Sequence, residues 1–244
     1  MAIPNGVISV TESAFHGCTS LKSVTIPDSV TSIGNEAFHM CNSLELIRIG
    51  NSVTFIGNEA FASCEALTSI TIPDSVTSIG HHAFEGCGAL SSMSISDNIK
   101  SIGDSAFKNC TSLTSVTIPD HITSLGSYAF SGCNRLASVK ILGPIESIAN
   151  STFQDCTALA PVTIPDSVTS IGDSAFQNCT SLTSMTIPDS VTSIGHHAFY
   201  NCGILAPVTI PDHVTSLGQY AFSGCNLISV KILGSIGSIA NSTF

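Results

Sequence analysis

The chain has 244 residues, of which only 10% are charged, with no tryptophan and a formal net charge of −10. Seven Lys and Arg against seventeen Asp and Glu leave no basic stripe to track a phosphate backbone, so no nucleic acid partner is expected. No apolar run approaches the roughly 20 residues that cross a bilayer, and the opening MAIPNGVISVTESAF lacks the basic start and continuous apolar core of a secretory signal.

The chain then says one thing many times. Phenylalanine recurs at Phe15, Phe38, Phe61, Phe84, Phe107, Phe130, Phe153, Phe176, Phe199 and Phe222, always 23 residues apart, and a cysteine follows each by three, from Cys18 to Cys225. Phe244 comes after 22, because one residue is missing between Cys225 and Leu227. Within the unit that starts at Leu113, Val116 to Ile118 alternates and is β-branched, which predicts a short strand with Val116 and Ile118 inward and Ser115 and Thr117 outward. Pro119-Asp120 ends it, since proline has no amide hydrogen and aspartate closes turns on its own backbone. Ile122 to Leu125 is a second extended piece, and after Gly126 the segment SYAFSGC has room for about one helical or 3₁₀ turn.

One such unit has too few apolar side chains to offset the entropy of ordering itself. Stacking covers both faces of each apolar ring and lets strand hydrogen bonds run from coil to coil, so the pattern predicts a repeat solenoid of ten to eleven coils. At about 4.8 Å per coil its length is roughly 50 Å.

The full unit, L-x-x-V-x-I-P-D-x-[VI]-x-x-[IL]-G-x-x-A-F-x-x-C, resembles the BspA-like leucine-rich repeat family over essentially the whole chain, Ile3 to Phe244. The resemblance implies a right-handed arc or horseshoe of short parallel strands and short helical or 3₁₀ turns. It also implies a microbial cell-surface or extracellular location and a role in adhesion or protein binding. It brings no catalytic residues and no cofactor. With no G-x-S-x-G elbow and no nonrepetitive Ser, His and Asp constellation, an enzyme is not expected.

Departures from the repeat are themselves periodic. Proline and aspartate of TIPD are lost at Arg48-Ile49-Gly50, Lys140-Ile141-Leu142-Gly143 and Lys231-Ile232-Leu233-Gly234, where the chain should turn differently. Arg48 and Lys140 are 92 residues apart, Lys140 and Lys231 are 91 apart across the deletion, so four coils form a larger module. Recent duplication accounts for this; so does a cation on the strand face every four coils, suited to a repetitive ligand. The expected ligand-binding face is therefore Arg48, Lys140 and Lys231 with the outward threonines Thr71, Thr117, Thr163, Thr186 and Thr209, presented to a protein or other macromolecule. A spacer or assembly subunit is the alternative, and an ice-ordering threonine array a minor one.

Other motifs have plain structural readings. The cysteines share one buried column, so they are expected as free core thiols, neither disulfides nor zinc ligands. The turn aspartates Asp74, Asp97 and Asp120, and again Asp166, Asp189 and Asp212, are expected to cap their own turns, with calcium the alternative. His81-His82 and His196-His197 read as solvated. His16 and His39 share a column but have no obvious third ligand except Glu85, so no metal site is expected. Sequons occur at Asn109, Asn150, Asn178 and Asn241. The chain enters at an inward strand residue, Ile3, and stops in mid-coil at Phe244. A single solenoid over residues 1–244, uncapped at both ends, is therefore expected to be a piece of a longer protein, or else to associate end to end.

Overall fold

The structure, a computed structural model, describes residues 1–203, 207–237 and 239–244. It is a parallel β-solenoid of about ten turns. Each coil adds a rung to two ladders. The first runs through Ser9–Val10, Ser32–Ile33, Phe55–Ile56, Ser78–Ile79, Ser101–Ile102 and Ser124–Leu125, and then through Ser147–Ile148, Ser170–Ile171, Ser193–Ile194 and Ser216–Leu217. The second comprises Ser23–Thr25, Leu46–Arg48, Ser69–Thr71 and Ser92–Ser94, then Ser115–Ile118 beside Ser138–Ile141, and Val208–Ile210 beside Val230–Ile232. Both the expected strand and the second extended piece are thus hydrogen-bonded ladders.

Register follows the sequence period: Ser115 pairs with Ser138 and Val116 with Val139. At the deletion the pairing shortens with the chain, so Val208 meets Val230 and Thr209 meets Lys231. The second ladder is interrupted over residues 161–164 and 184–187. The cause is local, because the first rung position is proline in two coils, Pro161 and Pro207, and Ser184 lies between them. Each proline removes one amide donor from a ladder that has few to spare.

Inward side chains form unbroken columns. Phe15 through Phe222 and Phe244 stack face over face, with ring centroids 5.0 to 5.8 Å apart and interplanar angles of 2° to 21°. Nine of these phenylalanines, Phe38 to Phe222, are fully buried. The centroid spacing follows the coil rise and lies within the range at which aromatic pairs attract.

The A-F segment differs from the expected helical turn: among the described residues there is neither α-helix nor 3₁₀-helix. Two residues per coil have left-handed backbone, for example Ser105 (φ 54°) and Asn109 (φ 59°). Left-handed residues four apart stop helix propagation. Amides along the segment consequently alternate in direction. Those of Ala106, Lys108 and Cys110 bond three residues back within the coil, while those of Ser105, Phe107 and Asn109 reach the carbonyls of Ser127, Ala129 and Ser131 in the next coil at 2.8–2.9 Å. The turn is therefore a third backbone ladder. Asparagine, aspartate and glycine hold most of the second left-handed column (among them Asn109, Gly132, Asp155, Asn178, Asn201 and Gly224) and suit that conformation, while Met40 and Ser63 adopt it without such a preference.

All ten cysteines are free. From Cys41 to Cys225 each thiol lies 2.9–3.3 Å from the phenylalanine carbonyl of the preceding coil, as Cys110 does with Phe84. The column thus contributes a weak hydrogen-bond ladder as well as packing. Burial pushes the Cys87 and Cys133 thiols up to about 12 and Cys41 up to about 11, only partly opposed by backbone hydrogen bonds to the thiolate. A thiol raised in the folded state stabilises the fold fully below its unfolded pKa of about 8.5 and ceases to do so as pH rises through the folded value. Urea midpoints should therefore hold steady below about pH 8 and fall progressively from pH 8.5 toward 12. In the same samples at pH 8 a thiol reagent should label exposed Cys18 first, and Cys41 through Cys202 only on unfolding.

Candidate binding surface

Alternation in the second ladder turns every other side chain outward, with buried partners between, as in the exposed-buried-exposed pattern of Ser69–Thr71. Arg48, Lys140 and Lys231 are all exposed, as are Thr71, Thr117, Thr163, Thr186 and Thr209. The ladder sets each cation directly beside a threonine of the preceding coil: Thr25 with Arg48, Thr117 with Lys140, and Thr209 with Lys231. Thr71 faces Ser94. Thr163 and Thr186 lie outside the hydrogen-bonded strands, in the stretch interrupted by Pro161 and Pro207.

Where this face meets the turn, the surface is hollowed. A cleft of about 510 Å³ is lined by Thr25, Asp28, Arg48 and Asn51, one of about 460 Å³ by Ser94, Asp97, Thr117, Asp120 and Leu142, and one of about 350 Å³ by Thr163, Asp166, Met185 and Thr186. The clefts bring Arg48 to Thr25 and Thr163 to Thr186. Thr71, Lys140, Thr209 and Lys231 sit outside these three.

The irregular coils also carry exposed leucines that sequence reasoning passed over. Leu46, Leu142 and Leu233 are 58%, 49% and 50% exposed, each two residues from a cation and therefore on its side of the strand. Their sequence signal was the loss of TIPD itself. Leu142 and Leu233 stand where other coils have proline, and their amides donate to the Ile118 and Ile210 carbonyls at 2.9 and 3.0 Å, bonds that proline cannot make. Gly143 then lets the chain press onto the preceding turn: a Cβ there would lie 2.2 Å from the Ile122 carbonyl oxygen.

These repeats match the family model described as the BspA type leucine rich repeat region, in six copies, over residues 1–94, 54–183 and 169–244. The chain belongs to that family. Comparison with curated protein sequences returns no match. Among solved structures, the BspA-type solenoid is similar to the pneumococcal vaccine antigen PcpA (24% identity, TM-score 0.64, covering 95% of this chain and 71% of that one). It is also similar to a leucine-rich repeat protein from Eubacterium ventriosum (20% identity, TM-score 0.62, covering 92% and 82%). These two likenesses speak for the fold alone. A leucine rich cell surface protein from Faecalibacterium prausnitzii is 28% identical, with TM-score 0.50, over 96% of this chain and 87% of that one.

No helix among the described residues is long and apolar enough to cross a membrane. Of the sequon asparagines in this BspA-type chain, Asn109, Asn150 and Asn241 are exposed, whereas Asn178 is half-buried. The Asn178 amide nitrogen donates to Asp155 Oδ1 at 2.7 Å, so the atom a glycan would occupy is already engaged.

His81 and His196 are exposed and His82 and His197 half-buried, and they also take part in contacts between coils. After several core glycines an outward polar side chain accepts a hydrogen bond from the next coil's backbone: Asn58 Oδ1 from the His81 amide at 2.9 Å, His81 Nδ1 from the Asp104 amide at 3.0 Å, and Asp104 Oδ1 from the Ser127 amide at 2.8 Å. His196 does the same for Gln219 at 3.0 Å. His82 instead bonds Glu85, which also pairs with Lys108 at 3.0 Å. Burial pushes the Glu85 carboxyl up, but hydrogen bonds from His82 and Lys108 together with the Lys108 charge more than reverse this and hold it below its ordinary value. His197 stacks on Tyr220 at 5.0 Å. His16 and His39 have centroids 4.9 Å apart, and the carboxylate beside them is Glu36, in the coil of His39 itself and two coils nearer than Glu85. Replacing His81 by Asn, which keeps an acceptor, should leave the urea-unfolding free energy within about 0.5 kcal/mol of wild type, whereas His81→Leu should cost about 1 kcal/mol.

Proposed function

We propose that this chain is a noncatalytic adhesion or protein-binding module of a cell surface, and that its outward second ladder is the binding face. The observation that carries the reading is the triple coincidence of cation, neighbouring threonine and exposed leucine at Arg48, Lys140 and Lys231. An exposed aliphatic side chain beside a cation offers a ligand both an apolar contact and a charge-assisted hydrogen bond. Its recurrence every four coils, roughly 19 Å apart, suits an extended or repetitive partner that gains by engaging several positions at once. Location at a surface draws support from the Faecalibacterium protein, described as a cell surface protein. The noncatalytic reading draws on a repeat family that is generally non-enzymatic.

Cations on a chain of net charge −10 make the face locally distinct, so a partner with acidic groups would be favoured there and repelled elsewhere. A second reading, a spacer or assembly subunit, is favoured by the exposed apolar side chains Ile8 and Ile228, 71% and 80% accessible, which could meet those of another copy. The threonine array as an ice-ordering surface draws no support from a row broken by three cations and unpaired at Thr163 and Thr186.

Arrayed extracellular-matrix and surface proteins, probed with purified wild-type chain, supply the partner. The triple variant R48E/K140E/K231E should then bind it at least about tenfold more weakly and with a flatter salt dependence. Leu142→Ser should weaken it with the salt dependence kept. Unchanged affinity in the triple variant would remove the proposed face.

A further inference from the structure

The stacking that aligns the core also aligns two polar columns beside it. One is the residue before the recurrent alanine of the repeat, the other the residue after its phenylalanine. Being three apart in a coil, they face each other. In the first three coils these columns hold His16, Glu36, His39 and Glu59. His16 Nδ1 lies 3.2 Å from Glu36 Oε2, and His39 Nδ1 lies 3.9 Å from the same oxygen and 3.7 Å from Glu59 Oε2. The ligand atoms of His16, Glu36 and His39 are all within 4.8 Å of one another, and among the described residues no other group of three or more histidine, cysteine, aspartate or glutamate side chains meets that condition.

Two observations say that this is more than a solvated patch. The His39 Nδ1 atom is buried and has no hydrogen-bond partner, although unsatisfied buried polar atoms are costly. And no Lys or Arg among the described residues pairs with Glu36 or Glu59, while the matching cluster of His82 and Glu85 two coils on is completed by the Lys108 ammonium at 3.0 Å. The first cluster has the same carboxylate and imidazole without the fixed cation.

We propose that His16, Glu36 and His39 bind one divalent transition-metal ion, zinc being the best match to two imidazoles and a carboxylate with water in the fourth position. Tetrahedral bonds of about 2.0–2.2 Å place donors roughly 3.3–3.5 Å apart, close to the 3.2 and 3.9 Å that separate the His16 and His39 nitrogens from Glu36 Oε2. Calcium would want six to eight oxygens, which this set lacks. The backbone under the donors is already ordered. The Glu36 amide bonds Asn58 O at 2.8 Å, and the His39 amide bonds Glu36 O at 3.0 Å. Coordination through Nδ1 engages the orphaned His39 nitrogen and ties the first two coils together from outside the core.

Zinc uptake by the full chain, competed against a chromophoric chelator at pH 7.5, tests this. Wild type should take up one zinc per chain with a rise in melting temperature. His16→Gln, at an exposed position, and Glu36→Gln should each weaken uptake at least about tenfold while keeping the wild-type circular dichroism. Cys18→Ser removes the exposed thiol and should bind as wild type. Absence of uptake, or wild-type affinity in His16→Gln and Glu36→Gln, or loss of binding in Cys18→Ser, would overturn the assignment.

Discussion

Everything in this molecule depends on each residue meeting its own counterpart one coil away. Backbone hydrogen bonds cross between coils on three sides: the two strand ladders and the alternating amides of the A-F turn. A residue therefore spends its life beside residues of its own type, and the choice at each position is judged by how well it stacks on itself. Phenylalanine rings do so at 5.0 to 5.8 Å. Cysteine does so because its thiol reaches the neighbouring carbonyl, and asparagine, histidine and aspartate do so by receiving the next coil's amide. Such a fold is close to one-dimensional, its stability a sum of coils and of the interfaces between them.

The same constraint explains where function can reside. Inward columns and turn columns are held by stacking, so variation is free only outward or where the chain abandons the TIPD turn. Arg48, Lys140 and Lys231 satisfy both conditions. Replacing Pro119 of one coil by Leu142 of the next restores an amide to the ladder and at the same time places an aliphatic side chain in the open. The departure from the repeat thus costs little in the backbone and changes much at the surface.

The 23-residue period made the solenoid, its inward columns and its outward threonines legible, because periodicity in sequence becomes register in space. Less legible was whatever depends on backbone sign or on neighbours across coils. The A-F segment reads as a helical turn by length, yet left-handed φ at Ser105 and Asn109 converts it into a ladder. Serine, glutamate, histidine and tyrosine at the first of these positions give no hint of that conformation, whereas the asparagines and glycines at the second do. His81 is exposed as its sequence suggests, but its hydrogen bond from the Asp104 amide was not legible because that partner is 23 residues away. Glu36 went unnoticed beside His16 because contact across two columns follows no single spacing. The lost strand at 184–187 was written in Pro161 and Pro207, on either side of a segment whose own residues look like every other strand.

Excising whole and partial coils tests the central claim most directly. Removing residues 92–114 joins Ser91 to Ser115 and leaves every column in phase, because Ser92 and Ser115 hold the same position in successive coils. Removing only residues 92–103 joins Ser91 to Asp104 and sets turn residues against strand residues. Circular dichroism and urea unfolding should show the whole-coil deletion as a folded, cooperative protein of modestly lower stability, and the partial deletion as unfolded or broken into two transitions. Equal behaviour of the two deletions would contradict the account, since coil-to-coil register would then not be what holds the structure together.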